Sequence, residues 1–327
     1  MEGPMTIKRG FSAAAAVLLA LALAACSNKA NNQASSGSSD GPGYNFALVS
    51  HGNAGDKFWD VVKNGAEQAG KDLGVKVTYQ GNGDPAQQSQ LIDSAVSQKV
   101  DGLIVSMANP PALKDSIAKA VKAGIPVITI NSGEDKAKEF GALTHVGQNE
   151  RIAGAAAGER FASLGANHLL CVVHEQGNIG LEDRCAGAKS TFKGQVENLQ
   201  VNVSDLADAT SKIAAKLQSD KSVDAILTLN NGVATAAVSA IEQANSQAKL
   251  GTFDLDQDVT KAIEAGQIQF AVDQQPYLQG YLPVQFLYLY KLNGNTVGGG
   301  QTVLTGPGFV DKNNAAQVAD FAAKGTR

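Results

Sequence analysis

The chain has a single tryptophan, three cysteines and no surplus of either charge among its 327 residues. Lysine and arginine total 27 against 31 aspartates and glutamates, a formal charge of −4, so there is no electrostatic footprint for nucleic acid or another polyanion. The apolar run "FSAAAAVLLALALAA" at 11–25 is about 15 residues long, short of the roughly 20 that cross a bilayer as a helix. No G-x-G-x-x-G follows the first apolar strand pattern and no G-x-x-x-x-G-K-[ST] occurs, which removes the glycine-rich dinucleotide and phosphate cradles. A G-x-S-x-G match, "GSSDG" at 37–41, lies in a polar stretch without the strand and helix that make a nucleophile elbow. No grouping of His, Cys and acidic residues has a catalytic spacing. A catalyst and a nucleic-acid binder are both poorly served by this composition, and no cofactor is implied.

What is present begins with an address. Lys8 and Arg9 precede the apolar run, which then ends in "LAAC", Leu23 to Cys26; this is the pattern of a secretory signal closed by a sequence that resembles the lipobox of bacterial lipoproteins. Residues 1–25 read as the signal peptide and Cys26 as the lipidated residue. The following "SNKANNQASSGSSDGPG" is too polar and glycine-rich to pack, so 26–43 reads as a flexible tether. The expected location is extracytoplasmic, periplasmic or cell-surface, with the membrane reached through the lipid anchor alone. Exported proteins tolerate disulfides, and Cys171 and Cys185 are a candidate pair.

From Tyr44 onward, β-rich runs alternate with segments whose apolar residues recur at helical spacing. "YNFALVS", "VKVTYQ", "GLIVSM" and "IPVITIN" form one series; "HLLCVV", "LQVNVSD", "VDAILTLN", "KLGTFD" and "IQFAVD" form another, with helices from about 181, 208, 232, 257 and 277. Repeated βα units imply parallel sheets covered by helices on both faces. The expected fold class is α/β, with two doubly wound parallel-sheet lobes.

Ligands of such sheets sit beyond the carboxyl ends of the strands, so the residues just after each run carry the functional argument. They are Asp56, Phe58 and Trp59, then Asn131 and Ser132, and in the second series Glu182, Arg184, Asn230, Asn231, Asp254 and Gln274. Carboxylates and amides exchange hydrogen bonds with vicinal hydroxyls, and aromatic rings pack against the C–H faces of a sugar. The inventory suits a neutral, polyhydroxylated small molecule. His51, after the first strand, is placed to line the same cleft.

Two metal readings fail on spacing. His168, Cys171 and His174 form H-x-x-C-x-x-H on a strand-like run, where side chains three apart face opposite ways. Asp254, Asp256 and Asp258 form D-x-D-x-D, but Val259 stands at the sixth position and Ala265 at the twelfth, where a calcium loop needs glycine and glutamate.

The segments "FALVSHGNAGDKFWDVVKNGAEQAGKDLGVKV", "AVKAGIPVITIN", "HVGQNERIAGAAAGE", "LNNGVATAAVSAI", "GTFD" and "DQQP", in that order, resemble the type I periplasmic sugar-binding proteins of the ribose- and galactose-binding group, which serve ABC importers. The resemblance implies two lobes joined by a three-segment hinge, here 44–147 plus 276–300 and 148–275 plus 301–327. It implies ligand contacts from Asp56, Phe58 or Trp59, Asn131, Arg184, Asn230, Asp254 and Gln274, with Glu182 as the alternative to Arg184. Asn131 and Ser132 depart from the ribose-binding pattern, which has aspartate and arginine there, and so point away from ribose itself. The implied partners are a monosaccharide or similar polyol and ABC permease subunits, with the protein a monomer. A lipid-anchored sensor presenting its ligand to a signalling receptor would use the same site.

Overall fold

The computed structural model describes residues 43–327; the expected signal peptide, Cys26 and all but the last residue of the expected tether fall outside the described residues. Two six-stranded sheets form the frame. The first takes β1 (Asn45–Ser50), β2 (Lys76–Gly81), β3 (Gly102–Ser106), β4 (Val127–Ile130) and β5 (His145–Gly147), with α1 (Lys57–Leu73), α2 (Pro85–Ser97), α3 (Pro110–Lys122) and α4 (Glu134–Ala137) between them. After α5 (Glu150–Ser163), the second takes β6 (His168–Val173), β7 (Gln195–Gln200), β8 (Ala225–Thr228), β9 (Lys249–Phe253) and β10 (Phe270–Asp273). Its connecting helices are α6 (Ile179–Thr191), α7 (Leu206–Ser219), α8 (Asn231–Gln243) and α9 (Gln257–Glu264). The chain then returns through α10 (Pro276–Asn293) to β11 (Val303–Leu304) in the first sheet, and ends with β12 (Gly308–Asp311) in the second and α11 (Ala315–Ala323).

The strand orders, β11-β5-β4-β3-β1-β2 and β12-β10-β9-β8-β6-β7, are the same arrangement twice. All pairings are parallel except that of β12 with β10. The expected α/β class with two doubly wound lobes is what is observed. Central strands are apolar throughout because both faces are covered. On β1, Ala47 and Val49 enter one hydrophobic cluster while Phe46 and Leu48 enter the one across the sheet; on β6, Leu170 and Val172 face one cluster and Leu169, Cys171 and Val173 the other.

Two expectations are corrected. The second strand of the second lobe is Gln195–Gln200, not the "LQVNVSD" run. It lies at the sheet edge with Gln195, Asn198 and Gln200 exposed and no residue fully buried, so its polar sequence hid it, while Val201–Asp205 is a loop whose Asp205 caps α7. The chain also does not leave the first lobe at residue 300, because Val303 and Leu304 pair with Val146 and Gly147 of β5. The chain thus crosses between the sheets at 148–149, 274–275 and 305–307.

Helix starts follow from Asp and Asn caps, whose side-chain oxygens accept the otherwise unpaired first-turn N–H groups. Asp56, Asn178, Asn230 and Asp256 do this for α1, α6, α8 and α9. Each sits where its chain leaves a sheet, so the N-termini of these helices open toward the space between the lobes. Helices α5 and α6 approach closely because Gly154 rests against the Arg184 carbonyl and Gly187 against that of Arg151, where any side chain would collide.

Cys171 on β6 and Cys185 on α6 are bonded, with Cα atoms 5.9 Å apart and a sequence separation of 14. The bond ties α6 to the core strand beneath it. In the chain-entropy picture a loop of this size contributes about 3 kcal/mol. Reduction is expected to lower the denaturant midpoint by a corresponding amount while leaving folding cooperative; an unchanged midpoint, or two reactive thiols in the unfolded and unreduced chain, would show that the bond does not form in solution.

Candidate functional site

A small cavity lies between the lobes, and all eight residues nominated by the family resemblance line it: Asp56, Phe58, Trp59 and Asn131 from the first, and Arg184, Asn230, Asp254 and Gln274 from the second and the crossover; Ser132 lines it too, whereas Asn231 does not. Glu182, the alternative to Arg184, is exposed on α6 and stays outside. The strand-end rule explains the convergence, since the two sheets face each other with their carboxyl ends.

From the first lobe, Asp56 Oδ1 accepts the Phe58 N–H at 3.0 Å and so fixes the start of α1. Its other oxygen remains free for the cavity. Phe58 and Trp59 meet edge to face, ring centres 5.2 Å apart, and Trp59 meets His51 likewise at 4.8 Å. Both rings belong to the core cluster of this lobe and also face the cavity. Gly52 makes room for the indole, since a side chain there would strike the Trp59 ring.

Asn131 and Asp254 occupy equivalent places, each directly after the fourth strand of its lobe, and both adopt left-handed backbone with φ of 62° and 71°. Such conformations in non-glycine residues cost energy and persist where surrounding contacts hold them. The holding contact is a shared amide. Gln274 Nε2 donates to Asp254 Oδ1 at 2.7 Å, and Gln274 Oε1 accepts from Asn131 Nδ2 at 3.2 Å and from Gln279 Nε2 at 2.9 Å.

Arg184 is more committed than the sequence suggested. Its Nε and Nη2 donate to both oxygens of Glu150 at 2.6 and 2.9 Å, Nη1 donates to the Leu229 carbonyl at 3.1 Å, and the guanidinium lies 4.4 Å from the centre of the Phe253 ring. The charge is neutralised within the protein, leaving part of its N–H capacity for a ligand. Asn230 spends its oxygen on the cap of α8, accepting from Gly232 N at 2.8 Å, so its NH₂ faces the cavity as a donor.

The sequence inventory missed His174, Glu175, Asn178 and Leu181, which also line the cavity. His174 directly follows β6, so the strand-end rule applies to it as well. Asn178 Nδ2 donates to Glu175 Oε2 at 2.7 Å and lies 3.4 Å from His51 Nε2, while His51 Nδ1 meets Ser106 Oγ at 2.8 Å.

Several contacts join the lobes across the front of the cleft. Lys57 Nζ reaches Asp256 Oδ2 at 2.8 Å and Asp258 Oδ2 at 3.0 Å, the Ile179 N–H donates to the Ala108 carbonyl at 3.0 Å, and Ser132 Oγ donates to Asn178 Oδ1 at 3.4 Å. The structure is a closed form. Asp256 and Asp258, two of the three aspartates of the rejected calcium pattern, are here partners of a lysine.

Burial governs the charges. It raises Asp254 to about 7 against the pull of Arg184 and Gln274, and raises Asp56 to about 6 with help from Glu175. It lowers His174 to about 4 and also lowers His51, so both imidazoles are neutral at pH 7. Burial pushes Glu175 up, but His51, His174, the Asn178 hydrogen bond and Arg184 outweigh it and hold its carboxyl below the usual range. With Arg184 cancelled by Glu150, the cavity carries an anionic surplus.

A family model described as a periplasmic binding protein domain matches residues 46–296. The chain belongs to the periplasmic binding protein family. A carbohydrate transporter from Acidothermus cellulolyticus 11B, solved in complex with myo-inositol, is 47% identical with a TM-score of 0.86, covering 88% of this chain and 100% of that one. The ribose import binding protein of Haemophilus influenzae is 27% identical over 69% of this chain and 79% of its own length. The fructose import binding protein of Bifidobacterium longum is 26% identical over 81% and 83%. The type I sugar-binding resemblance read from the segments is thereby established, and the chain is a binding protein, not an enzyme. Among the described residues, no helix is long and apolar enough to cross a membrane.

Because the pKa of Asp254 is higher folded (about 7) than unfolded (3.8), its contribution to stability is fully present below about pH 4 and is lost as pH rises through 7. Asp254→Asn cannot ionise and escapes that loss. The variant is expected to gain on the parent between pH 4 and 7 by on the order of 1 kcal/mol or more, read as a widening difference in melting temperature without ligand. A difference that stays constant with pH would contradict the burial of an ionisable carboxyl at this position.

Proposed function

We propose that this protein is the extracytoplasmic solute-binding lipoprotein of an ABC importer and that its cavity takes one neutral polyol ring, a cyclohexane-hexol such as myo-inositol being the best-supported ligand. The observation that carries the reading is a small cavity lined by carboxylates, amides and two aromatic rings from facing lobes. The 47% identical carbohydrate transporter holding myo-inositol supports the ring class.

The donor and acceptor balance supports it further. A pyranose has a ring oxygen that can only accept, and needs a dedicated donor. A cyclitol presents a hydroxyl at every ring carbon, and each can donate as well as accept. Asp56, Glu175 and Asp254 then take ligand O–H groups, the Asn230 NH₂ and the remaining Arg184 N–H groups donate, and Phe58 or Trp59 packs against the C–H face. A ligand touching both lobes favours the closed form over the open one by its differential contacts. The anionic surplus disfavours phosphorylated or carboxylated rings.

Titration of purified, lipid-free protein with myo-inositol, ribose, fructose and glucose, followed by Trp59 emission and calorimetry, is expected to give one site with the cyclitol tightest. Asp254→Ala removes charge-assisted hydrogen bonds of roughly 1.5–3 kcal/mol, so affinity should fall about tenfold to a hundredfold. Binding of none of these polyols, or an Asp254→Ala variant that binds as tightly as the parent, would reject the assignment.

The anchor rests on the "LAAC" sequence. Cys26→Ala is expected to abolish partitioning of the cell-derived protein into detergent, and mass spectrometry is expected to find a diacylated or triacylated Cys26 in the parent. An unmodified Cys26 in membrane-extracted protein would exclude it.

A further inference from the structure

Beside the inner cavity lies a larger, solvent-open chamber of about 360 Å³ that shares His51, His174, Glu175 and Asn178 with it. Asn53 and Asn109 of the first lobe face Gln176, Gln200 and Asn202 of the second across this chamber. It is therefore built from both lobes, as the inner cavity is, and with the same chemistry. Gln176, Gln200 and Asn202 are exposed to it, and Glu175 is the only charged side chain among the described residues lining it. His174 is buried between the two spaces, and its Nδ1 has no hydrogen-bond partner among the described residues.

The partition between inner cavity and outer chamber is made of side chains. Asn178 Nδ2 and His51 Nε2 lie 3.4 Å apart there, a long contact, with Glu175 Oε2 3.8 Å from the same nitrogen. These groups are in contact, so a substituent leaving a ring in the inner cavity would take the place of the long Asn178–His51 contact, its ether oxygen accepting from Asn178 or from an imidazole N–H.

We infer that the site accepts a polyol ring bearing a neutral glycosyl substituent, the ring in the inner cavity and the substituent in the outer chamber among Asn109, Gln176, Gln200 and Asn202. The inference rests on the polyol reading of the inner cavity and extends its substrate class from a bare ring to a glycosylated one. The outer chamber exceeds in volume the space that holds one ring, so a second six-membered ring fits it. Gln176 and the NH₂ groups of Asn109 and Asn202, whose oxygens are taken by the Ala112 and Ser204 N–H groups, match the hydroxyls of such a group. A phosphoryl substituent would enter a chamber that holds a carboxylate and no lysine or arginine, and would lose its hydration without a compensating charge.

The test is calorimetric titration of the lipid-free protein with three probes: myo-inositol, galactinol (myo-inositol carrying one galactosyl group) and myo-inositol 1-phosphate. Galactinol is expected to bind within about tenfold of the bare ring, and the phosphate at least about tenfold more weakly than either. Gln200→Trp, on the exposed edge strand β7, fills the outer chamber; it should weaken galactinol at least about tenfold and leave myo-inositol within about twofold. Asn202→Trp, in the adjoining loop, should give the same split, and retained myo-inositol binding shows that each variant is folded. Binding of myo-inositol without galactinol, phosphate binding as tight as galactinol, or equal effects of both tryptophan variants on the two neutral ligands would overturn the inference alone. Failure of all three probes would overturn the cyclitol reading and this inference with it.

Discussion

One buried amide sets the geometry of the site. Gln274, 1% exposed, lies in the crossover between β10 and α10 and holds Asn131 of one lobe and Asp254 of the other at 3.2 and 2.7 Å. Burying an amide is unfavourable unless its donors and acceptors are met, and here Gln279 supplies a further donor to its oxygen. The reward is positional. Two residues in left-handed backbone, at matching strand ends, are fixed relative to each other through a single side chain at the pivot. One oxygen of Asp254 is thereby occupied from behind, so only the other is presented forward.

The second constraint is charge. A lone buried arginine would dominate the cavity, but its bidentate pairing with Glu150 and its stacking over Phe253 leave it as a shaped donor without net charge. Such a pair is a poor source of stability, because desolvating both ions offsets their attraction. Its value here is to orient N–H groups at a point where α5 and α6 are locked by Gly154 and Gly187. The same helix is tied to the sheet by the Cys171–Cys185 bond, so Arg184 is supported from two sides.

Much of this was legible in the residues. The βα alternation and the rule that ligands sit at strand ends, narrowed by the family resemblance, nominated eight residues that the structure gathers around one cavity; of the wider strand-end set Ser132 joins them, while Glu182 and Asn231 do not. What the sequence hid was of two kinds. Edge elements escaped because they are short or polar: β5 and β11 span three and two residues, and β7 turns polar residues toward solvent. Pairings across sequence escaped because periodicity carries no information about them; Glu150 is 34 residues from Arg184, and Asn178 is 127 from His51. His174 and Glu175 fall under the same strand-end rule, but the spacing of His168, Cys171 and His174 there reads first as a metal pattern.

The contact of Lys57 with Asp256 and Asp258 belongs to neither ligand nor hinge, and it exists only when the cleft is shut. Lys57 directly follows Asp56, and Asp256 stands two residues from Asp254, so the bridge is set by the same two loops that present the cavity carboxylates. It makes the residence time of an uncharged guest sensitive to the salinity of the surroundings. Asp256 is buried, but Lys57 and Asp258 are exposed; an exposed pair contributes about 0.2–1 kcal/mol and is screened by salt, which corresponds to a change of up to about fivefold in how long the shut state persists. A protein working outside the cytoplasm meets whatever salt the environment supplies, and its grip on a neutral cargo would loosen as that salt rises.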